Sequence, residues 1–158
     1  MATHQIYEAG KYHNYEEVGQ MLHKWTAAYP GYTAIESVGA TLDGKQLWLL
    51  TITDQRTGAH GTKPAFWCDG NTHAGEVTGT QCCLHLIHTI FARLDAGDAA
   101  MAEMIATSTV YVLPRISADG AECLLHGIIP LSLARHVTVM INRQTDRQTD
   151  RQTDRQTD

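Results

Sequence analysis

Between residues 14 and 113 the spacing of apolar residues switches repeatedly between the period of a helix and that of a strand. That alternation restricts the chain to layered α/β architectures. Asn14-Tyr15-Glu16-Glu17 offers a side-chain cap and acidic residues to a helix start. Val18, Met21, Leu22 and Trp25 continue at helical spacing until Tyr29-Pro30-Gly31 stops the helix. Residues 33–38 and 46–53 read as strands joined by a turn at Asp43-Gly44. Residues 64–68 form an apolar run suited to a buried central strand, and residues 76–94 form a long helix. Asp98 can cap a further helix through Ile105, and residues 109–113, Thr-Val-Tyr-Val-Leu, are the clearest strand of all. Helix, hairpin, strand, two helices and a strand predict an α/β fold with a mixed sheet.

The end of the sequence obeys other rules. Residues 143–158 repeat Arg-Gln-Thr-Asp four times without variation. A GACA tetranucleotide read in triplets encodes that four-residue period, so the expectation is a translated microsatellite. With no apolar residue it cannot bury a face, and a disordered tail is expected. Residues 126–142 are apolar without a helical or strand period, and an intron-derived or frameshifted origin is expected for them too. The reading therefore places domain sequence at residues 1–125, an atypical segment at 126–142 and a repeat tail at 143–158.

Charge and composition exclude several classes of function. Twelve basic against 17 acidic residues give a net charge of -5, which opposes a nucleic-acid surface. No run reaches the apolar length of a membrane-spanning helix. The first residues lack the features of a secretory signal, so a cytoplasmic chain with reduced thiols is expected. Cys82 and Cys83 are adjacent and, with Cys68 and Cys123, fit no spaced metal pattern. They read as small packing residues. Trp25, Trp48 and Trp67 fall within predicted elements and are expected in the core, and Asp119-Gly120 is expected in a turn.

One stretch carries chemistry. Asp69-Gly70-Asn71-Thr72-His73-Ala74-Gly75-Glu76 follows the strand ending at Cys68, where α/β sheets gather their ligands. His73 and Glu76 lie three residues apart, so in a helical turn an imidazole and a carboxylate can face one ion. Both donors suit Zn²⁺, which takes three protein ligands and a water in catalytic sites. Gly70 and Gly75 permit tight backbone turns beside it. His85 and His88 share the same spacing on the long helix but lack a third ligand, and read as a surface or half-buried pair.

Residues 63–79, Lys-Pro-Ala-Phe-Trp-Cys-Asp-Gly-Asn-Thr-His-Ala-Gly-Glu-Val-Thr-Gly, resemble the zinc-site segment of the M14 zinc carboxypeptidases. Residues 12–30 resemble that family's first helix. Ser37-Val38-Gly39 with Gly44-Lys45-Gln46-Leu47-Trp48 resembles its opening hairpin. Residues 111–122 are similar to its strand and Asn-Pro-Asp-Gly loop, with Ser117 and Ala118 standing where Asn and Pro are usual. Four separated segments agree in order over residues 10–124. The resemblance implies part of a carboxypeptidase-like α/β/α sandwich, with His73 and Glu76 as the first two zinc ligands. It also implies a substrate that presents a peptide C-terminus.

In that family zinc polarises the terminal peptide carbonyl and activates a water, and a glutamate acts as general base. The third ligand (a histidine), the Asn-Arg clamp on the substrate carboxylate, the closing tyrosine and the catalytic glutamate have no match here. Gly75 stands where many members have Arg. The reading is a zinc metallocarboxypeptidase by resemblance, inactive as this polypeptide. Two alternatives stand beside it: an amidohydrolase on N-acyl amino acids, of aspartoacylase-like type, and a non-catalytic product of a truncated gene.

Overall fold

The computed structural model describes residues 3–127. The atypical segment from Ile128 onward and the repeat tail assigned from the sequence lie outside the described residues. Helix α1 (Tyr15–Ala28) opens with a complete capping box: Asn14 accepts from the Glu17 amide while the Glu17 carboxylate accepts from the Asn14 amide. Strands β1 (Thr33–Ala40) and β2 (Gln46–Ile52) form the expected antiparallel hairpin, with Gly44 at φ +80 in its turn. Then come β3 (Ala65–Asp69), α2 (Thr78–Asp95), α3 (Ala99–Thr107), β4 (Thr109–Leu113) and α4 (Ala118–Leu125). Asp98 caps α3 by accepting from the Met101 amide, as its position predicts.

The four strands make one sheet in the order β1-β2-β4-β3, antiparallel except for the β3–β4 pair. The α/β class and the mixed sheet are as expected. A single apolar cluster joins Leu22 and Trp25 of α1, Leu50 and Ile52 of β2, Ile87 and Phe91 of α2, Ile105 of α3, and Val110 and Val112 of β4. Trp25 is fully buried and satisfies its indole N–H on the Thr3 hydroxyl at 2.9 Å. Tyr29 stacks on Phe91 with ring centroids 4.0 Å apart. Among the described residues no helix is long and apolar enough to cross a membrane.

Around the sheet and α4 the structure departs from the sequence expectation at three places. Residues 64–68 are not a buried central strand: β3 is the last strand of the sheet, with Phe66 59% and Trp67 50% exposed. Their apolar character matches a strand flanked on both sides, and among the described residues no strand pairs with the outer edge of β3. Trp67 is therefore outside the core, its indole turned onto Asp69 Oδ2 at 2.9 Å. Trp48 is only half-buried, edge-on to His23. Asp119-Gly120 is not a free turn but lies in the first turn of α4.

Candidate metal-binding turn

The polypeptide leaves β3 alongside the segment that follows β4. Gly70 N–H donates to the Leu113 carbonyl at 3.1 Å; the Ile116 and Ser117 amides donate back to Gly70 and Asn71 at 3.1 and 2.9 Å. Asn71 then takes φ +57, a left-handed conformation that Asn tolerates better than most residues. Its side chain is buried, and its amide N–H₂ donates to the His73 carbonyl at 2.8 Å and the Ala74 carbonyl at 3.3 Å. Two successive turns follow, with Glu76 N–H on the His73 carbonyl and Gly79 N–H on the Glu76 carbonyl. The helix begins only at Thr78, two residues later than its apolar pattern suggests. His73 and Glu76 are thus three apart across a turn before the helix, not on a helical face.

Three close approaches fix this turn in place. A Cβ at Gly70 would stand 2.5 Å from the Gly79 carbonyl oxygen, and a Cβ at Gly79 would stand 2.8 Å from the Asn71 nitrogen. On the other side, a Cβ at Gly120 of α4 would stand 2.5 Å from Ala74 Cβ. What Gly70 supplies is the absence of a side chain rather than an unusual φ. The start of α2 is held further by the Thr80 hydroxyl, buried and donating to the Pro114 carbonyl at 2.8 Å. The backbone between His73 and Glu76 is clamped while both side chains remain exposed to solvent. Glu76 also precedes the amino end of α2, where a carboxylate is favoured by the helix dipole.

Beneath the turn lies a charged junction with no sequence signal. Arg115, 4% exposed, donates to Glu122 Oε1 at 2.8 Å and to the His13 carbonyl at 2.6 Å. Glu122 Oε1 also accepts from the Tyr15 amide at 2.9 Å. One ion pair therefore joins the approach to α1, the end of β4 and α4. Burial pulls the Arg115 guanidinium down from its ordinary value, and Glu122 opposes that.

A second junction is more exposed. Asp119 accepts from the Thr41 hydroxyl at 2.8 Å, Lys45 at 2.9 Å and the Asp43 amide at 3.2 Å, pinning the hairpin to α4. Burial raises the Asp119 carboxyl, but Lys45, Thr41 and the Asp43 amide together hold it below the usual carboxylate range. A depressed carboxylate contributes stability above its unfolded value and loses it as the pH falls through the folded one. The Asp119 contribution is therefore complete above about pH 4 and declines below it. Asp119→Asn is expected to cost about 2 kcal/mol at neutral pH and to flatten the acid limb of the stability curve. Urea midpoints of the wild type and variant between neutral and strongly acidic pH measure both effects.

His73 and Glu76 are the two residues the sequence singled out, and the fold holds them at the carboxyl end of β3. It leaves His85 exposed and His88 half-buried, as expected of that pair, with their ring centroids 6.1 Å apart. Among the described residues no group of three or more His, Cys, Asp or Glu side chains could hold a metal ion. Imidazole and carboxylate are donors that zinc accepts, so the donor chemistry of the turn suits two of the three protein ligands that zinc takes in catalytic sites.

The sequence model of the family described as zinc carboxypeptidase matches residues 18–155. The chain belongs to the zinc carboxypeptidase family. Among its curated relatives, carboxypeptidase D of Anas platyrhynchos is 24% identical over 112 residues, which are 71% of this chain and 8% of that protein. The catalytic chain of human carboxypeptidase N is also 24% identical, over 71% of this chain and 24% of its own length. The fold of this family member matches carboxypeptidase A from Helicoverpa armigera with a TM-score of 0.63 at 22% identity, covering 73% of this chain and 27% of that one. It matches thrombin-activatable fibrinolysis inhibitor with a TM-score of 0.62 at 20% identity, covering 71% and 27%. The chain spans about a quarter or less of the length of these relatives.

The positioning residues around the turn were the harder ones to find. Asn71, Gly79, Gly120 and Arg115 all fall inside the segments that resemble the family, but their positioning roles come from contacts that no local pattern announces.

Proposed function

We propose that this chain carries the two-ligand part of a metallocarboxypeptidase zinc site, with His73 and Glu76 as the ligands. In a complete site zinc would supply Lewis-acid activation of a water and of the C-terminal peptide carbonyl. This chain's own residues supply the position: Asn71 holds the His73 and Ala74 carbonyls, and Gly70, Gly79 and Gly120 let α2 and α4 press on the turn. The observation that carries the reading is a clamped backbone presenting an exposed imidazole and carboxylate at the carboxyl end of a sheet strand, in a member of this family.

With two donors the chain is proposed to bind zinc weakly and to leave peptide C-termini intact. Isothermal titration with Zn²⁺ is expected to show one site per chain, weakened at least about tenfold by His73→Ala or by Glu76→Ala. Unchanged zinc binding in both variants overturns the ligand assignment. Release of C-terminal amino acids from peptides by the pure wild-type chain overturns the proposed inactivity.

A further inference from the structure

The two sulfur atoms of Cys68 and Cys83 lie 3.7 Å apart between β3 and α2. Neither residue is bridged: all four cysteines are free thiols. Their meeting follows from the fold. Cys68 pairs with Val112 in the β3–β4 ladder, so it projects to the face on which Val112 joins the apolar cluster with Cys83. Cys83 is fully buried there, whereas Cys68 is only half-buried on the outermost strand of the sheet. Cys82, exposed and next in sequence, leaves the helix about 100° away from Cys83, on a different side from the one that meets Cys68.

We propose that Cys68 and Cys83 form an oxidation site, closing to an intrachain disulfide that straddles the His73–Glu76 turn. A bonded pair needs about 2 Å between sulfurs, which the two side chains must supply by rotating toward each other. The oxidant is a low-molecular-weight disulfide such as glutathione disulfide. The Cys68 sulfur, after losing its proton to solvent, attacks one glutathione sulfur and expels the other half as a thiol. Cys83 then loses its proton and attacks Cys68 Sγ, expelling the second glutathione. Two protein thiols are oxidised, one glutathione disulfide is reduced to two thiols, and no further reactant is needed. Burial first, and Cys68 beside it, push the Cys83 thiol well above its ordinary value, so the second step is the slow one.

The bond ties the strand before the candidate ligands to the helix after them, and it does not depend on whether those ligands bind zinc. The test incubates the full chain with glutathione disulfide and maps its peptides without reduction. The expected result is a peptide pair joined through Cys68 and Cys83, with the free-thiol count falling by two and a raised melting temperature, all reversed by dithiothreitol. Cys82→Ser is expected to leave the cross-link intact and Cys83→Ser to abolish it, leaving mixed disulfide at Cys68. Should Cys83→Ser fail to fold, the wild-type and Cys82→Ser maps decide the matter. Cross-links through Cys82 or between chains, or glutathione on Cys68 that never transfers to Cys83, overturn the proposal.

Discussion

Glu122→Ala is expected to destabilise the chain by about 3–5 kcal/mol, because it leaves the Arg115 guanidinium buried with no paired counter-charge, facing only the His13 carbonyl and, more distantly, the Thr80 hydroxyl. Removing the charge instead is expected to cost less. Arg115→Met keeps much of the volume and leaves Glu122, whose side chain is 15% exposed, with the Tyr15 amide and access to water. The asymmetry is the physical content: desolvation of the cation is tolerated only while its partner is present. Urea denaturation of both single variants and the double variant isolates the coupling. A loss below about 1 kcal/mol for Glu122→Ala would show that the pair is solvated and not a junction.

Gly70→Ala is expected to cost about 3 kcal/mol, the upper end for adding one methyl group to a packed site. Its new Cβ would meet backbone atoms of Gly79, and backbone cannot rotate aside as a side chain would. Gly31→Ala is the matched control: nothing lies within 4 Å of its Cβ and its φ is ordinary, so a near-neutral effect is expected. Thermal and urea midpoints of the two variants, read side by side, separate a steric clash from a general glycine effect. The same displacement shifts the start of α2 against the loop from Gly70, so the proposed Zn²⁺ binding is expected to weaken in Gly70→Ala as well. Unaltered stability would mean that the strand end and the helix start are not in contact in solution.

Elements with local causes were legible in the sequence. The capping box at Asn14 and Glu17, the Asp43-Gly44 turn, the Asp98 cap and the β4 pattern all write their own geometry into adjacent residues. The His73–Glu76 spacing named two candidate donors, but the turn ahead of the helix that carries them was not legible. That outcome depends on Gly79 crossing Gly70 and on Asn71 bending back over His73, which no periodicity records. Arg115 with Glu122, and Asp119 with Lys45, are ion pairs whose partners lie on different elements. The apolar run at residues 64–68 was read correctly for composition and wrongly for burial, since neighbours on both sides set a strand's exposure and the sequence names neither.

The outer edge of β3 has a consequence for handling and for fate in a cell. Among the described residues no strand lies beside it, so two large aromatic side chains and a row of backbone groups form an adhesive seam there. Attraction through such a seam grows with the frequency of encounters, so self-association is expected to rise with concentration.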